Sequence, residues 1–174
     1  MKMKFLFFTT IIFCFAMLIA CGDGAPENMP TDAEIQQELL RMNQEKSKEE
    51  SDSIVHYIQK KGWQMTTLKN GIRYQMIEAG RGDSVRMGET ITVAYKVFLL
   101  NDKLCYESTP ADPVTFKVGE DHIESGIHEV VRNSRKGDRI RIILPSILAF
   151  GFTGDNNKIP GDSPLCYELF ILNR

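Results

Sequence analysis

From Gly88 to its C-terminus the chain consists of short apolar runs separated by Gly, Pro, Asn and Asp, with one helix-spaced segment among them. Few folds accept that pattern. Thr90 to Leu100, Leu104 to Glu107, Val114 to Val118, Arg139 to Leu144 and Leu165 to Leu172 have the length and β-branched or aromatic content of strands. Asn101-Asp102 supplies a turn, and Thr109 to Pro113 a Pro-bounded bulge. Between Ile123 and Ser134, the residues Ile127, Val130 and Val131 recur on one helical face. One helix against a mostly antiparallel sheet is an α+β arrangement.

The run Leu144-Pro145-Ser146-Ile147-Leu148-Ala149-Phe150-Gly151, followed by Gly154, Ile159-Pro160 and the last strand, reads as an apolar pocket rather than a charged active site. His122 and His128 have no Cys or carboxylate spacing around them that makes a metal site, and neither stands beside a serine or cysteine nucleophile. Hydrophobic residues make up 43% and charged residues 25% of the 174, which suits one globular domain with appendages. The formal charge is -2, so nucleic acid is not an expected partner. Arg132, Arg135, Lys136, Arg139 and Arg141 read as a solvated edge.

Residues 1–20 read as a secretory leader, with Lys2 and Lys4 ahead of an apolar run, Phe5 to Leu18, that is short for a membrane span. The ending Leu18-Ile19-Ala20-Cys21-Gly22 resembles the lipobox of bacterial lipoproteins. That resemblance implies lipidation of Cys21, hence a membrane-anchored protein of the cell envelope facing the periplasm. Each buried methylene contributes roughly 0.8 kcal/mol, so two or three acyl chains hold firmly. Gly22 after the lipidated cysteine favours the outer over the inner membrane, by analogy with bacterial sorting.

Residues 21–30 have the composition of a tether, and residues 31–62 that of a helical arm opened by the capping box Thr31-Asp32-Ala33-Glu34. Apolar residues recur at helical spacing at Ile35, Leu39 and Met42, and again at Ile54, Val55 and Ile58. The wholly polar stretch Asn43 to Ser53 between them predicts a solvated helix, breakable in two and held only at its ends. Such an arm is expected to act as a spacer from the membrane or, alternatively, as a dimerisation element. Residues 63–87 read as an N-terminal hairpin and loop, with a type I′ turn at Asn70-Gly71 and a Gly-rich turn at Arg81-Gly82-Asp83. Cys105 and Cys166 each lie inside an apolar run, where a thiol behaves as a small buried hydrophobe.

Val93-Ala94-Tyr95, Tyr106-Glu107-Ser108, Phe116-Lys117-Val118-Gly119, Gly126, Gly137-Asp138, Pro145 to Gly151, Ile159-Pro160 and Leu165 follow one another at the spacing of a known family. On these markers, residues 88–174 resemble the FK506-binding-protein (FKBP) domains, a class of peptidyl-prolyl cis-trans isomerases. Together with the lipobox and arm, the run Gly154 to Ile159 looks most like the lipoprotein isomerases associated with gliding motility in Bacteroidetes. The resemblance implies a strongly curved, antiparallel five-stranded sheet wrapped on one short helix, preceded here by the helical arm. It implies clients that are X-Pro-containing polypeptides, no cofactor, and a third strand between those carrying Cys105 and Cys166, so that the two thiols are expected to be unpaired.

Carried over position by position, Tyr95, Tyr106, Phe116, Ile127, Phe150, Ile159 and Tyr167 would line the proline pocket. Ile123 would form its floor, and the backbone amide of Glu124 would receive a substrate carbonyl. Ile127 stands where a Trp often occurs, Val114 where an aromatic does, Glu107 in place of a usual Asp, and Phe150 in place of a usual Tyr. The last two departures remove or move polar groups near the twisting amide. They imply an isomerase of reduced activity that assists folding of exported or envelope proteins, or alternatively a catalytically silent binding module in an envelope complex.

Overall fold

The computed structural model describes residues 30–173. The leader, Cys21 and most of the tether therefore lie outside the described residues. Among those described, no helix is long and apolar enough to cross a membrane.

The first element, α1 (Asp32–Lys61), opens on the expected capping box. The Glu34 amide donates to the Thr31 hydroxyl at 3.3 Å, and the Thr31 amide donates to the Glu34 carboxylate at 2.7 Å. Contrary to the sequence expectation, α1 is unbroken through its polar middle. Glu, Lys and Gln are good helix formers, and the Lys48–Asp52 pair at 2.8 Å supports the backbone locally. Nor is that stretch held only at its ends. Lys46 pairs with Asp162 at 2.6 Å, Glu50 accepts the Ser146 amide at 2.7 Å, and Arg73 donates to Ser51 at 3.2 Å. Residues 43–173 thus belong to one compact unit in which the C-terminal half of α1 is a structural part.

After α1 come β1 (Thr66–Thr67), β2 (Arg73–Glu78), β3 (Thr90–Leu99), β4 (Leu104–Glu107), β5 (Val114–Lys117), the short helix α2 (Ser125–Val131), β6 (Arg139–Leu144) and β7 (Leu165–Ile171). A 3-10 turn, Ser146–Leu148, opens the long segment between β6 and β7. The sheet runs β1-β2-β6-β7-β3-β4, with β5 also on β3, and every pairing is antiparallel. It has seven strands where five were expected, because the hairpin is part of it. Arg73 to Glu78 pairs along β6 and covers an edge that would otherwise present unpaired backbone groups. The hairpin turn is also not type I′, since Gly71 has φ +88° while Asn70 is not left-handed. The Gly71 amide closes onto the Leu68 carbonyl at 3.0 Å, and the Leu68 amide onto Ile72 at 2.8 Å. That is a three-residue loop ending in a left-handed glycine.

Strand alternation divides the apolar residues between two cores. On one face Ile140, Ile142 and Leu144 of β6 and Leu165, Tyr167, Leu169 and Ile171 of β7 join Ile127, Val130 and Val131 of α2. On the other face Ile143 and Cys166 meet Ile54 and Tyr57 of α1, with Ile58, Trp63, Met65, Phe98 and Leu100 around them. Cys105 and Cys166 are buried and free, and β3 lies between their strands. Burial pushes the Cys166 thiol up to about 12, so it stays protonated at neutral pH.

Of the basic residues near β6, Arg132, Arg135 and Arg139 are exposed as expected, and Lys136 and Arg141 are partly buried. The Arg141 guanidinium stacks on Trp63 at 3.8 Å and pairs with Glu168 at 2.9 Å, Arg139 covers the Phe170 ring at 4.1 Å, and Lys136 pairs with Glu89 at 2.9 Å.

Candidate active site

A cavity of about 680 Å³ opens between the α2 side of the sheet and the segment joining β6 to β7. Its volume lies within the usual range of small-ligand clefts. Val93, Tyr95 and Val97 reach it from alternate positions of β3, as the two-residue strand period requires. Tyr106 comes from β4, Val114 and Phe116 from β5, Tyr167 and Leu169 from β7, and Ile127 from α2. The approach to α2 adds His122, Ile123, Glu124 and Ser125. The segment after β6 adds Ala149, Phe150, Asp155 and Asn157.

Eight of the ten expected site residues meet there: Tyr95, Tyr106, Phe116, Ile123, Glu124, Ile127, Phe150 and Tyr167. Glu107 does not. It follows Tyr106 on β4, so when the ring points in, the carboxylate points out, where it is half exposed and 3.7 Å from Lys96. Ile159 does not line the cavity either. Its side chain is fully buried in the core, and its role toward the site is through its backbone.

That backbone role concerns Asp155, which sequence reasoning missed. The Asp155 carboxylate accepts the Tyr106 hydroxyl in a short hydrogen bond, together with the Ile159 amide at 2.8 Å and the Asn157 amide at 2.9 Å. The Tyr106 bond, followed by the backbone bonds, lowers its pKa to about 2. Because the folded value is depressed, the stabilisation is complete above the unfolded value near 4 and is lost as pH falls from about 4 to 2. The expected result is a ¹³C carboxyl shift of Asp155 titrating near pH 2, where an unperturbed Asp would titrate near 4. The Gly-Asp-Asn-Asn composition signals a turn of this kind, but the pairing with a tyrosine 49 residues away has no local signal.

Two other polar features face the cavity. The Glu124 backbone amide, in extended conformation just before α2, donates to no acceptor among the described residues. Its carboxylate accepts the Tyr167 hydroxyl at 2.7 Å. Burial, then the nearby Glu124 charge, raises the pKa of both Tyr167 and Tyr95, which keeps their protons on the hydroxyls. The Tyr95 hydroxyl has no protein acceptor among the described residues and remains available as a donor. The cavity is therefore less purely apolar than the sequence suggested.

His128 lies outside the cavity wall and is structural. Its ring accepts the Gly119 amide at 2.8 Å, meets the Asp121 carbonyl at 3.0 Å and packs edge-on against Phe116 at 5.8 Å. It thereby braces β5 against α2. Among the described residues, no group of three or more His, Cys, Asp or Glu is placed to hold a metal.

Residues 82–172, just over half of the chain, match the family described as FKBP-type peptidyl-prolyl cis-trans isomerase. The chain is 32% identical over 108 residues to the FKBP-type peptidyl-prolyl cis-trans isomerase FkpA of Escherichia coli, a match covering 62% of this chain and 39% of that protein. The match thus spans well under half of that relative's length. The crystal structure of FkpA from Escherichia coli aligns with a TM-score of 0.61 at 26% identity, over 98% of this chain and 81% of the other. A peptidyl-prolyl cis-trans isomerase from Pseudomonas syringae shares the fold, with a TM-score of 0.62 at 24% identity, over 83% of this chain and 96% of the other. With its sheet, its single α2 helix and the cavity between them all in place, the chain belongs to the FKBP-type peptidyl-prolyl cis-trans isomerase family.

Proposed function

We propose that this protein catalyses cis-trans isomerisation of X-Pro bonds, as a lipid-anchored protein that assists folding of exported or envelope polypeptides. The observation that carries this reading is a cleft walled by tyrosines and aliphatics, with an unengaged Glu124 amide at its edge. Rotation about a peptide C–N bond faces a barrier of ~18–20 kcal/mol, because the planar amide has double-bond character. A planar amide is more polar than a twisted one, so moving it out of water into such a cleft destabilises the ground state more than the transition state. In this reading the Glu124 amide holds a substrate carbonyl during rotation and the Tyr95 hydroxyl offers a second donor, which is supported by the lack of a partner for either group among the described residues. Neither role needs proton transfer or a cofactor.

Two observations favour a second reading, that of a binding module with little or no catalysis. Phe150 brings no hydroxyl to the cleft, and Glu107 is directed away from it. Phe150→Tyr separates the two. If the cleft is catalytic, the variant gains a hydrogen bond typically contributing about 0.5–1.5 kcal/mol, which raises kcat/KM for Leu-Pro peptides about two- to ten-fold. A change in peptide affinity with no change in turnover supports the silent module.

The envelope location rests on the lipobox at Leu18 to Gly22, and the preference for the outer membrane on Gly22. Globomycin-sensitive processing followed by membrane fractionation tests both. The dimerisation proposal rests on Ile35, Leu39 and Met42, which recur at helical spacing and are exposed. Sedimentation of the full chain against a chain beginning at Asn43 tests it, and equal masses per chain would rule it out.

A further inference from the structure

The Glu124 carboxylate makes a single hydrogen bond among the described residues. It lies at the cavity wall with one donor, the Tyr167 hydroxyl, and no Lys, Arg or His pairs with it among the described residues. The second carboxylate of the cavity, Asp155, is different, because it is held by three donors. Among the described residues, no lysine or arginine lines the cavity. His122 is the one histidine in its wall, and Lys158, whose ammonium lies 4.8 Å from the Tyr106 ring centroid, is not part of the wall. The site therefore presents negative charge within apolar walls, where a charge is felt over a longer range than in bulk solvent.

We infer that Glu124 selects substrates carrying a basic side chain immediately beside the proline. This rests on the reading of the cavity as the X-Pro site. A lysine or arginine flanking the bound prolyl ring brings a cation toward a carboxylate that has no counter-ion, while a glutamate in the same place brings like charges together. The apolar walls take the ring, and the carboxylate discriminates among neighbours. Like-charge exclusion adds to attraction in the ratio between the two substrates, so the Lys-to-Glu comparison is the sensitive one.

The test uses two series of blocked proline tetrapeptides, one varying the residue before proline and one the residue after it, each with Lys, Leu and Glu. In at least one series kcat/KM for the Lys peptide is expected to exceed that for the Glu peptide about five- to twenty-fold at low ionic strength. The ratio should shrink at 0.5 M salt and fall to about one in Glu124→Gln. Because the readout is a ratio, any effect of that variant common to all peptides cancels. Lys and Glu peptides turned over within two-fold of each other in both series would overturn the inference while leaving the isomerase reading intact. So would a preference that survives Glu124→Gln. If no peptide is accelerated, NMR titration supplies the same comparison for binding. Tighter binding of the Lys peptide then supports the charge selection and sinks the catalytic reading, and equal binding sinks both.

Discussion

A chain beginning at Gly62 is expected to melt at least about 15 °C lower than one beginning at Asn43, or to fail to fold. The difference lies in residues 43–61. Ile54 and Tyr57 are almost wholly buried, and they cover Ile143 and Cys166, which belong to the two central strands β6 and β7. Burying a large apolar side chain contributes about 1.5–3 kcal/mol. Losing two of them and exposing Ile143 costs on the order of 5 kcal/mol, comparable to the whole stability of a modest domain. The Tyr57 hydroxyl also donates to Asp102 at 2.7 Å, and Lys61 pairs with the same carboxylate at 2.6 Å, so the β3–β4 turn loses its anchor as well. A chain beginning at Asn43 keeps every one of these contacts. Calorimetry of the two truncations checks the claim, and similar melting temperatures would mean that the helix is a spacer after all.

Gly154→Ala is expected to lower kcat/KM at least ten-fold while lowering stability by only about 1–3 kcal/mol. Gly154 has φ +67°, and a Cβ there would collide with the Ile159 carbonyl oxygen and press on Pro160. The obstacles are backbone, so the segment itself must shift. That segment carries Phe150, Asp155 and Asn157 into the cavity, and the Asp155 amide reaches the Ile159 carbonyl at 3.1 Å. Displacing it removes one wall of the cleft and the acceptor for Tyr106. Gly151→Asn is the matched control. Gly151 has nearly the same backbone angle, φ +62°, but an added Cβ meets nothing within 4 Å. Asn tolerates the left-handed region, so this variant should keep most of its activity. Comparable losses in both variants would show that flexibility of the segment, and not the close approach at Gly154, governs the site.

The parts of this fold that follow from local pattern were legible in the chain. The strands from Thr90 onward, the α2 stripe of Ile127, Val130 and Val131, and the capping box at Thr31 and Glu34 each express a period or a short-range hydrogen bond. The hairpin escaped assignment to the sheet because its partner, β6, is distant in sequence and nothing in Ile72 to Ile77 specifies which edge it meets. The unbroken α1 escaped for a related reason. Its polar residues, chiefly Lys46, Glu50 and Ser51, are satisfied by Asp162, the Ser146 amide and Arg73, all far along the chain.

The wall of the site was largely legible because aromatic and aliphatic residues at matching spacing carry it. Its carboxylate pairings were not. Asp155 meets Tyr106 only when the chain is folded, and so does the Glu124 carboxylate with Tyr167, although the Glu124 amide itself was anticipated. Glu107 illustrates the converse. Its neighbour in sequence enters the cavity, and the strand period then turns Glu107 outward to Lys96.

The central claim is that this cleft eases rotation of a prolyl amide held within it. The direct measurement is two-dimensional exchange NMR on Ala-Pro and Leu-Pro peptides with catalytic amounts of the protein. Without a catalyst the isomers interconvert over tens to hundreds of seconds. The account predicts exchange cross-peaks at sub-second mixing times, with protein shift changes concentrated at Tyr95, Glu124, Phe150 and Tyr167. Interconversion at the uncatalysed rate in the presence of saturating protein would contradict it.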